Sequence, residues 1–228
     1  NGFVIRGVSS NIPFQSALLA HPSFVAGAFN TGFIAQHYSA GFRAEDVPHA
    51  DPDFLIALAA FVRRKSRERA TALSGQRHGY QLQAGKDLVV ITLGQGGHNT
   101  YTPVHVDEFE GLTGSATIRI GERSFAISSH SRLNDIRIEG TVNGAAFTAQ
   151  VERGTPRNPL AYSVQHNGCR MDLLVGSPRM AELYRLMPYK APPDMSRLVL
   201  SPMPGLPVDI AVQPGQKVQA RERVAVTE

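Results

Sequence analysis

The most informative feature of the chain is a stretch with no polar face. Phe54-Leu55-Ile56-Ala57-Leu58-Ala59-Ala60-Phe61-Val62 is apolar at nine consecutive positions, and Arg63-Arg64-Lys65-Ser66-Arg67-Glu68-Arg69 follows it. The pattern predicts one helix from Asp53 to about Thr71. Asp51 suits the N-cap, and Pro52 suits the first helical position, where its missing N–H costs nothing. An acid in the first turn and cations in the last turns match the helix dipole. At about 1.5 Å per residue such a helix is roughly 28 Å long. A helix apolar on every side is enclosed on every side. Nine residues fall far short of the about 20 needed to cross a bilayer, so the sheath is protein. Arg63, Arg64 and Lys65 are then either a solvated face or a partner contact.

From Asp87 to Val175 the hydrophobic period falls to two. Eight strands are predicted: 88–93, 100–106, 116–120, 124–128, 136–142, 146–152, 161–165 and 171–175. Ile118 and Ile120 alternate with Thr117 and Arg119, and Ile136 and Ile138 with Arg137 and Glu139, giving one buried and one wet face. Asn143-Gly144 and Asn167-Gly168 are hairpin turns in which both residues take positive φ, and Gly121-Glu122 is a third tight turn. Eight consecutive hairpin-linked strands predict a closed antiparallel barrel, which leaves no edges. An eight-stranded barrel is normally filled by its own side chains. A helix inside it therefore implies a flattened or open barrel, even with Ala57, Ala59 and Ala60 keeping the helix thin. The predicted fold class is α+β: a central long helix wrapped by an eight-stranded antiparallel β-barrel, followed by a truncated all-β segment.

The flanks are less regular. Residues 1–42 hold a strand candidate at 3–8 and helical runs beginning near Ile12 and near Thr31, with Phe14, Ala17, Leu18 and His21 on one side of the first. This is too little to bury a core and reads as the tail of an upstream domain. Residues 43–50 are a connector. Ser74-Gly75-Gln76-Arg77-His78-Gly79-Tyr80-Gln81-Leu82 is an irregular loop of a length uncommon without a function. Ser177-Pro178 opens a helix predicted over Arg179–Met187, with Met180, Leu183 and Leu186 or Met187 as its apolar stripe. Pro188 to Pro193 is a stiff linker of polyproline character. Strands at 208–212, 217–218 and 223–226 begin a further β module.

Composition changes this picture little. The 228 residues carry a net charge of +4, without the basic stripe and interleaved aromatics of a nucleic-acid surface. Cys169 is the only cysteine, which excludes a disulfide framework and fits a reducing compartment. No signal peptide or membrane span is visible. The chain starts at Asn1 without an initiator Met, and we expect it to be a piece of a longer polypeptide.

Candidate chemistry is sparse. His21, His37, His49, His78, His98, His105, His130 and His166 lack the spacing of a helical metal site, and one cysteine makes no zinc cluster. Gly94-Gln95-Gly96-Gly97 is flanked by strands and reads as a turn, not a phosphate loop. Asp107, Glu108 and Glu110 read as a solvated loop. Cys169 follows a turn and has no base beside it in sequence. No catalytic, cofactor-binding or metal-binding residue is assigned.

Three ordered segments carry a resemblance. Ser201-Pro202-Met203-Pro204-Gly205, Val212-Gln213-Pro214-Gly215-Gln216-Lys217-Val218 and Val226-Thr227-Glu228 resemble the first half of a biotinyl carrier domain. Gly7-Val8-Ser9-Ser10-Asn11-Ile12-Pro13-Phe14, with His21-Pro22, Phe24 and Asn30-Thr31-Gly32-Phe33-Ile34, looks like the end of a biotin carboxylase domain. Between them, a helix followed by eight antiparallel strands is similar to the BT domain of propionyl-CoA carboxylase α subunits, and 179–194 is the stretch most like that type. The resemblance implies four parts: residues 1–42 end a biotin carboxylase domain of ATP-grasp type, 43–187 form the BT domain, 188–196 link, and 197–228 begin the carrier.

It implies a biotin-dependent ligase that uses ATP and bicarbonate to convert propionyl-CoA to methylmalonyl-CoA. It also implies biotin on a lysine just after Glu228, and ATP with Mg or Mn bound in the upstream domain. The partner would be a carboxyltransferase β subunit in an α6β6 assembly, contacted by a hook loop at about 73–82. The interface residues are then Ser74, Gly75, Gln76, Arg77, His78, Gly79, Tyr80 and Gln81. The implied setting is the bacterial cytoplasm, with neither nucleic acid nor membrane as partner. Methylcrotonyl-CoA or geranyl-CoA as substrate, and a non-enzymatic β-barrel interaction module, are the alternatives.

Overall fold

A computed structural model describes residues 3–5, 10–43, 51–73, 84–110, 114–155, 158–190, 205–219 and 222–227. The chain forms two compact units, Asn1–Tyr189 and Lys190–Glu228. The first opens with helices α1 (Ile12–Ala20), α2 (Pro22–Val25) and α3 (Phe33–His37). Pro22 stops α1 because its ring pushes the preceding residue out of helical geometry. His21 has ψ 133°, and its Nδ1 accepts the Ser23 N–H, starting α2 at once. Of the predicted strand at 3–8, residues 3–5 are not strand and 6–9 lie outside the described residues.

Helix α4 runs Pro52–Thr71. Asp51 caps it: the Phe54 N–H donates to Asp51 Oδ1 over 3.3 Å. Phe54 to Val62 are all buried, and Leu58 is at 0% exposure. Strands β1 (Asp87–Thr92), β2 (Thr100–Asp107), β3 (Ser115–Ile120), β4 (Arg123–Ser128), β5 (Arg137–Val142), β6 (Ala145–Arg153), β7 (Tyr162–His166) and β8 (Cys169–Gly176) surround it in chain order. Val90, Val106, Ile118, Ile127, Ala149, Val164 and Leu173 join the helix's apolar residues in one core.

Of the expected open or flattened barrel, the open alternative is corrected. The barrel is closed, with Val90 opposite Val175 and Ile91 opposite Leu174 joining β1 to β8. The β4–β5 seam is the shortest pairing of the barrel, where only Ile127 faces Val142 and Ser128 faces Thr141. Beyond these pairs side chains replace the ladder. Ser129 Oγ donates to the Glu139 carbonyl over 2.6 Å, and the Glu139 N–H donates to Ser131 Oγ over 3.0 Å. From inside, Lys65 Nζ donates to the Ser131 carbonyl over 2.6 Å and contacts the Ser129 carbonyl at 3.4 Å. Backbone groups leaving a ladder must find partners, and here two serines and a lysine supply them.

Helix α5 (Pro178–Arg185) lies on the outside of β1 and β8, capped by Ser177 Oγ, which accepts the Met180 N–H. Its buried side is Ala181 with Met180 and Tyr184, set on Ile91 and Leu174. The predicted stripe is therefore corrected: Leu183, Leu186 and Met187 are exposed. The helix stops at Arg185, so the last two of these fall outside it. In the second unit β9 (Pro207–Ile210) pairs antiparallel with β10 (Ala225–Thr227). The predicted strand at 217–218 is not one.

Candidate functional site

The sequence-predicted interface residues Ser74, Gly75, Gln76, Arg77, His78, Gly79, Tyr80 and Gln81 lie outside the described residues. Their roots are described. The chain leaves α4 through Ala72, whose N–H closes the last turn on the Glu68 and Arg69 carbonyls, and returns at β1. The loop is thus rooted at the barrel mouth from which the helix C-terminus emerges.

Side chains of the helix are fastened at that mouth. Lys65, read as part of a solvated or partner-facing set, is 4% exposed. Burial pushes its ammonium below the ordinary lysine value, and Asp135 offsets part of the effect. Arg64 lies 5.0 Å over the Phe109 ring and pairs with Glu68 at 2.6 Å, one helical turn on. Phe109, just after β2, in turn sits 6.2 Å from Phe61 of the helix. Arg153 Nη2 donates to Ser66 Oγ over 2.7 Å. Lys65, Arg64 and Ser66 are held by their own barrel and are not a free recognition surface. Sequence pattern concealed this because a cationic run on a helix ordinarily snorkels to water. The one hint was Ser128-Ser129-His130-Ser131, which breaks the alternation of β4.

On the outer face of β1–β3, acidic side chains alternate with His105 and Arg119 across three strands. Asp87 Oδ1 lies 2.6 Å from His105 Nδ1, His105 Nε2 lies 3.0 Å from Asp107 Oδ1, and Arg119 Nε lies 2.7 Å from Asp107 Oδ2. Asp107, read as part of a solvated loop, ends β2 and belongs to this row.

The opposite mouth is closed by charges and rings. Arg123 Nη2 lies 2.7 Å from Asp51 Oδ2, Arg123 also pairs with Asp53, and its guanidinium covers Phe125 at 4.9 Å. Phe54 meets Phe147 and His166 edge-on, each at 5.1 Å. Cys169 is buried here, and burial pushes its thiol up, away from the thiolate a nucleophile needs. Gly168, with φ 85°, touches α1: a methyl group on it would lie 2.6 Å from the Pro13 carbonyl oxygen and 2.8 Å from Ala17 Cβ. The N-terminal helices are thereby seated on the β7–β8 turn.

Among the described residues no three His, Cys, Asp or Glu side chains are grouped to hold a metal. No described helix is long and apolar enough to cross a membrane.

A closed eight-stranded antiparallel barrel with a buried helix is the architecture class of this chain. The chain belongs to the propionyl-coenzyme A carboxylase BT domain family, whose profile matches residues 55–190. Relatives extend the likeness to the whole chain. It is 32% identical over 228 residues to the propionyl-CoA carboxylase alpha chain of Ruegeria pomeroyi, covering all of this chain and 32% of that one. It is 26% identical to the mitochondrial alpha chain of Caenorhabditis elegans, again over all of this chain and 32% of the relative. Against the mitochondrial alpha chain of Mus musculus identity is 27%, covering 30% of the relative. The chain spans about a third of the length of the curated relatives it matches.

Proposed function

We propose that this chain is the assembly and carrier-mounting part of a biotin-dependent propionyl-CoA carboxylase α subunit, acting in the bacterial cytoplasm. The observation that carries the reading is the BT-family match over a closed barrel that encloses an apolar helix. The parent complex would carboxylate propionyl-CoA to methylmalonyl-CoA at the expense of ATP and bicarbonate. ATP, with Mg or Mn, would be bound by the biotin carboxylase domain, of which residues 1–42 would be the end. Biotin, on a lysine of the carrier begun at 197–228, would bear the carboxyl group between two active sites. In this reading the work of this part of the subunit would be mechanical.

A tethered carrier makes the second encounter intramolecular, at an effective concentration set by the linker. That advantage exists only if both sites are held within reach. The barrel would be the fixed mount, and the loop at 74–81 would hook the carboxyltransferase β subunit in an α6β6 complex. Standard protein interfaces place aromatic and arginine anchors at their centre, and Arg77 and Tyr80 are the two such residues in the loop.

The test is copurification of the full-length subunit with its β subunit, followed by assay on a panel of acyl-CoAs and a streptavidin blot. Propionyl-CoA should be the preferred substrate, and the subunit should be labelled. Arg77→Ala or Tyr80→Ala should weaken assembly by about 2 kcal/mol or more, roughly thirtyfold in Kd, with the barrel melting temperature unchanged. Full partner affinity in both variants rejects the hook assignment. An unlabelled subunit rejects the carrier.

A further inference from the structure

We infer that Tyr189, seated on the glycine turn between β1 and β2, is the root of the carrier arm, a positioning residue that sets the length of the tether. The inference rests on the carrier reading above and deepens it.

The boundary between the two compact units falls directly after Tyr189. What precedes it is fastened step by step to the barrel. Ala181, Met180 and Tyr184 pack on Ile91 and Leu174. Gly176 leaves room for Met180, since a methyl group on Gly176 would overlap that side chain. The Arg185 guanidinium lies 4.3 Å from the centre of the Tyr101 ring, on β2. The last attachment is the tyrosine itself. A methyl group on Gly97 would lie 2.8 Å from Tyr189 Cγ and Cδ2 and 2.9 Å from its Cβ, closer than side-chain carbons approach. The ring therefore rests on bare backbone. Gly97 has φ 84° and Gly96 φ 65°, so the turn also needs glycine for its shape.

The glycine at position 97 of this turn has a second task, as the seat for the residue at which the first compact unit ends.

The consequence for delivery follows from length. With Tyr189 seated, the tether counted from the last seated residue to the proposed start of the carrier is 190–196, which is seven residues. If the seat were lost, release back to Arg185 would add residues 186–189 and make eleven. Effective concentration falls roughly as the −3/2 power of length, so delivery would drop about twofold. The added reach, up to about 14 Å, would also blur the direction in which the arm departs.

The experiment uses the full-length subunit assembled with its carboxyltransferase partner and compares wild type with Tyr189→Ser, Tyr189→Phe and Gly97→Ala. Trypsin can cut after Lys190, just past the seat, and after Arg185, at its near end. In wild type, cleavage after Lys190 should precede cleavage after Arg185, as followed by mass spectrometry. Tyr189→Ser and Gly97→Ala should speed cleavage after Arg185 about tenfold, and Tyr189→Phe, which keeps the ring, should restore the wild-type rate. In parallel, overall acyl-CoA carboxylation should fall about twofold in the two unseated variants, while ATP-dependent carboxylation of free biotin stays at the wild-type rate. Unchanged protection of Arg185 in Tyr189→Ser overturns the seat. Lost protection with an unchanged overall rate overturns the root's role in delivery. The cleavage result stands whether or not the subunit is labelled by streptavidin, so failure of the seat and failure of the carrier reading are told apart.

Discussion

The two mouths of the barrel hold the same helix by opposite physics. At the N-terminal mouth Asp51 and Asp53 meet Arg123 in water, with Arg123 half exposed. At the C-terminal mouth Lys65 is buried and donates to backbone carbonyls of Ser129 and Ser131. Exposed ion pairs contribute little to stability and are screened by salt. A buried cation on backbone acceptors contributes little net either, yet removing it leaves those acceptors dry and unpaired. The first mouth is therefore a soft latch, and the second is a pin whose loss is felt. The difference teaches where rigidity is invested. The loop proposed to hook the partner is rooted at the pinned mouth, where force from a docked subunit would enter the barrel.

The largest effect should come from between the mouths, where neither device operates. Leu58→Asp puts an unpaired carboxylate into an apolar sheath, a cost of several kcal/mol against a domain stability of about 5–15 kcal/mol. We expect no cooperative thermal transition by circular dichroism. A native-like melt would refute an enclosed helix. Lys65→Met comes next. It keeps the buried stem but orphans the seam carbonyls, and should cost about 1–3 kcal/mol, equally at 0.15 M and 1 M salt. Wild-type stability in Lys65→Met would make the pin illusory and erase the contrast between the mouths.

What the sequence disclosed and what it hid follow from the range of the physics involved. The helix was legible because nine apolar residues in a row admit one environment, and its start because Asp51-Pro52 is a local signal. The hairpins were legible because Asn-Gly turns demand positive φ, and Asn143 and Asn167 both have it, at 50° and 46°. The β4–β5 seam was hidden because it depends on Lys65 reaching residues 64 and 66 positions away. The packed face of α5 was misread because Leu183, Leu186 and Met187 are more hydrophobic than Ala181, yet it is Ala181 that fits against Ile91 and Leu174. The seat on Gly97 was hidden for the same reason as the seam: Tyr189 meets it across more than ninety residues of chain. The hook loop was singled out by length and by likeness, and neither specifies a conformation.

The smallest effect belongs to the soft latch, and acid separates its two parts. Burial alone would raise the Asp51 carboxyl, but hydrogen bonds from Arg123 and from the Phe54 and Asp53 N–H groups, with the charge of Arg123, outweigh it and leave it below the usual carboxylate value. A lowered folded value means that ionised Asp51 contributes fully above the unfolded carboxylate range, about pH 4. The contribution is then lost as pH falls through the folded value, because the unfolded chain binds the proton first. Asp51→Ala removes cap and charge together and should cost about 0.5–2 kcal/mol near neutral pH. Asp51→Asn keeps a cap acceptor for the Phe54 N–H and loses the charge alone, so its deficit should be smaller, shrink in 1 M salt, and vanish below pH 4 as the wild type itself is protonated. Melting temperatures from pH 7 to pH 3 read this directly. A deficit in Asp51→Asn that persisted unchanged at pH 3 and in high salt would show that the latch is not electrostatic, and the two mouths would then differ only in burial.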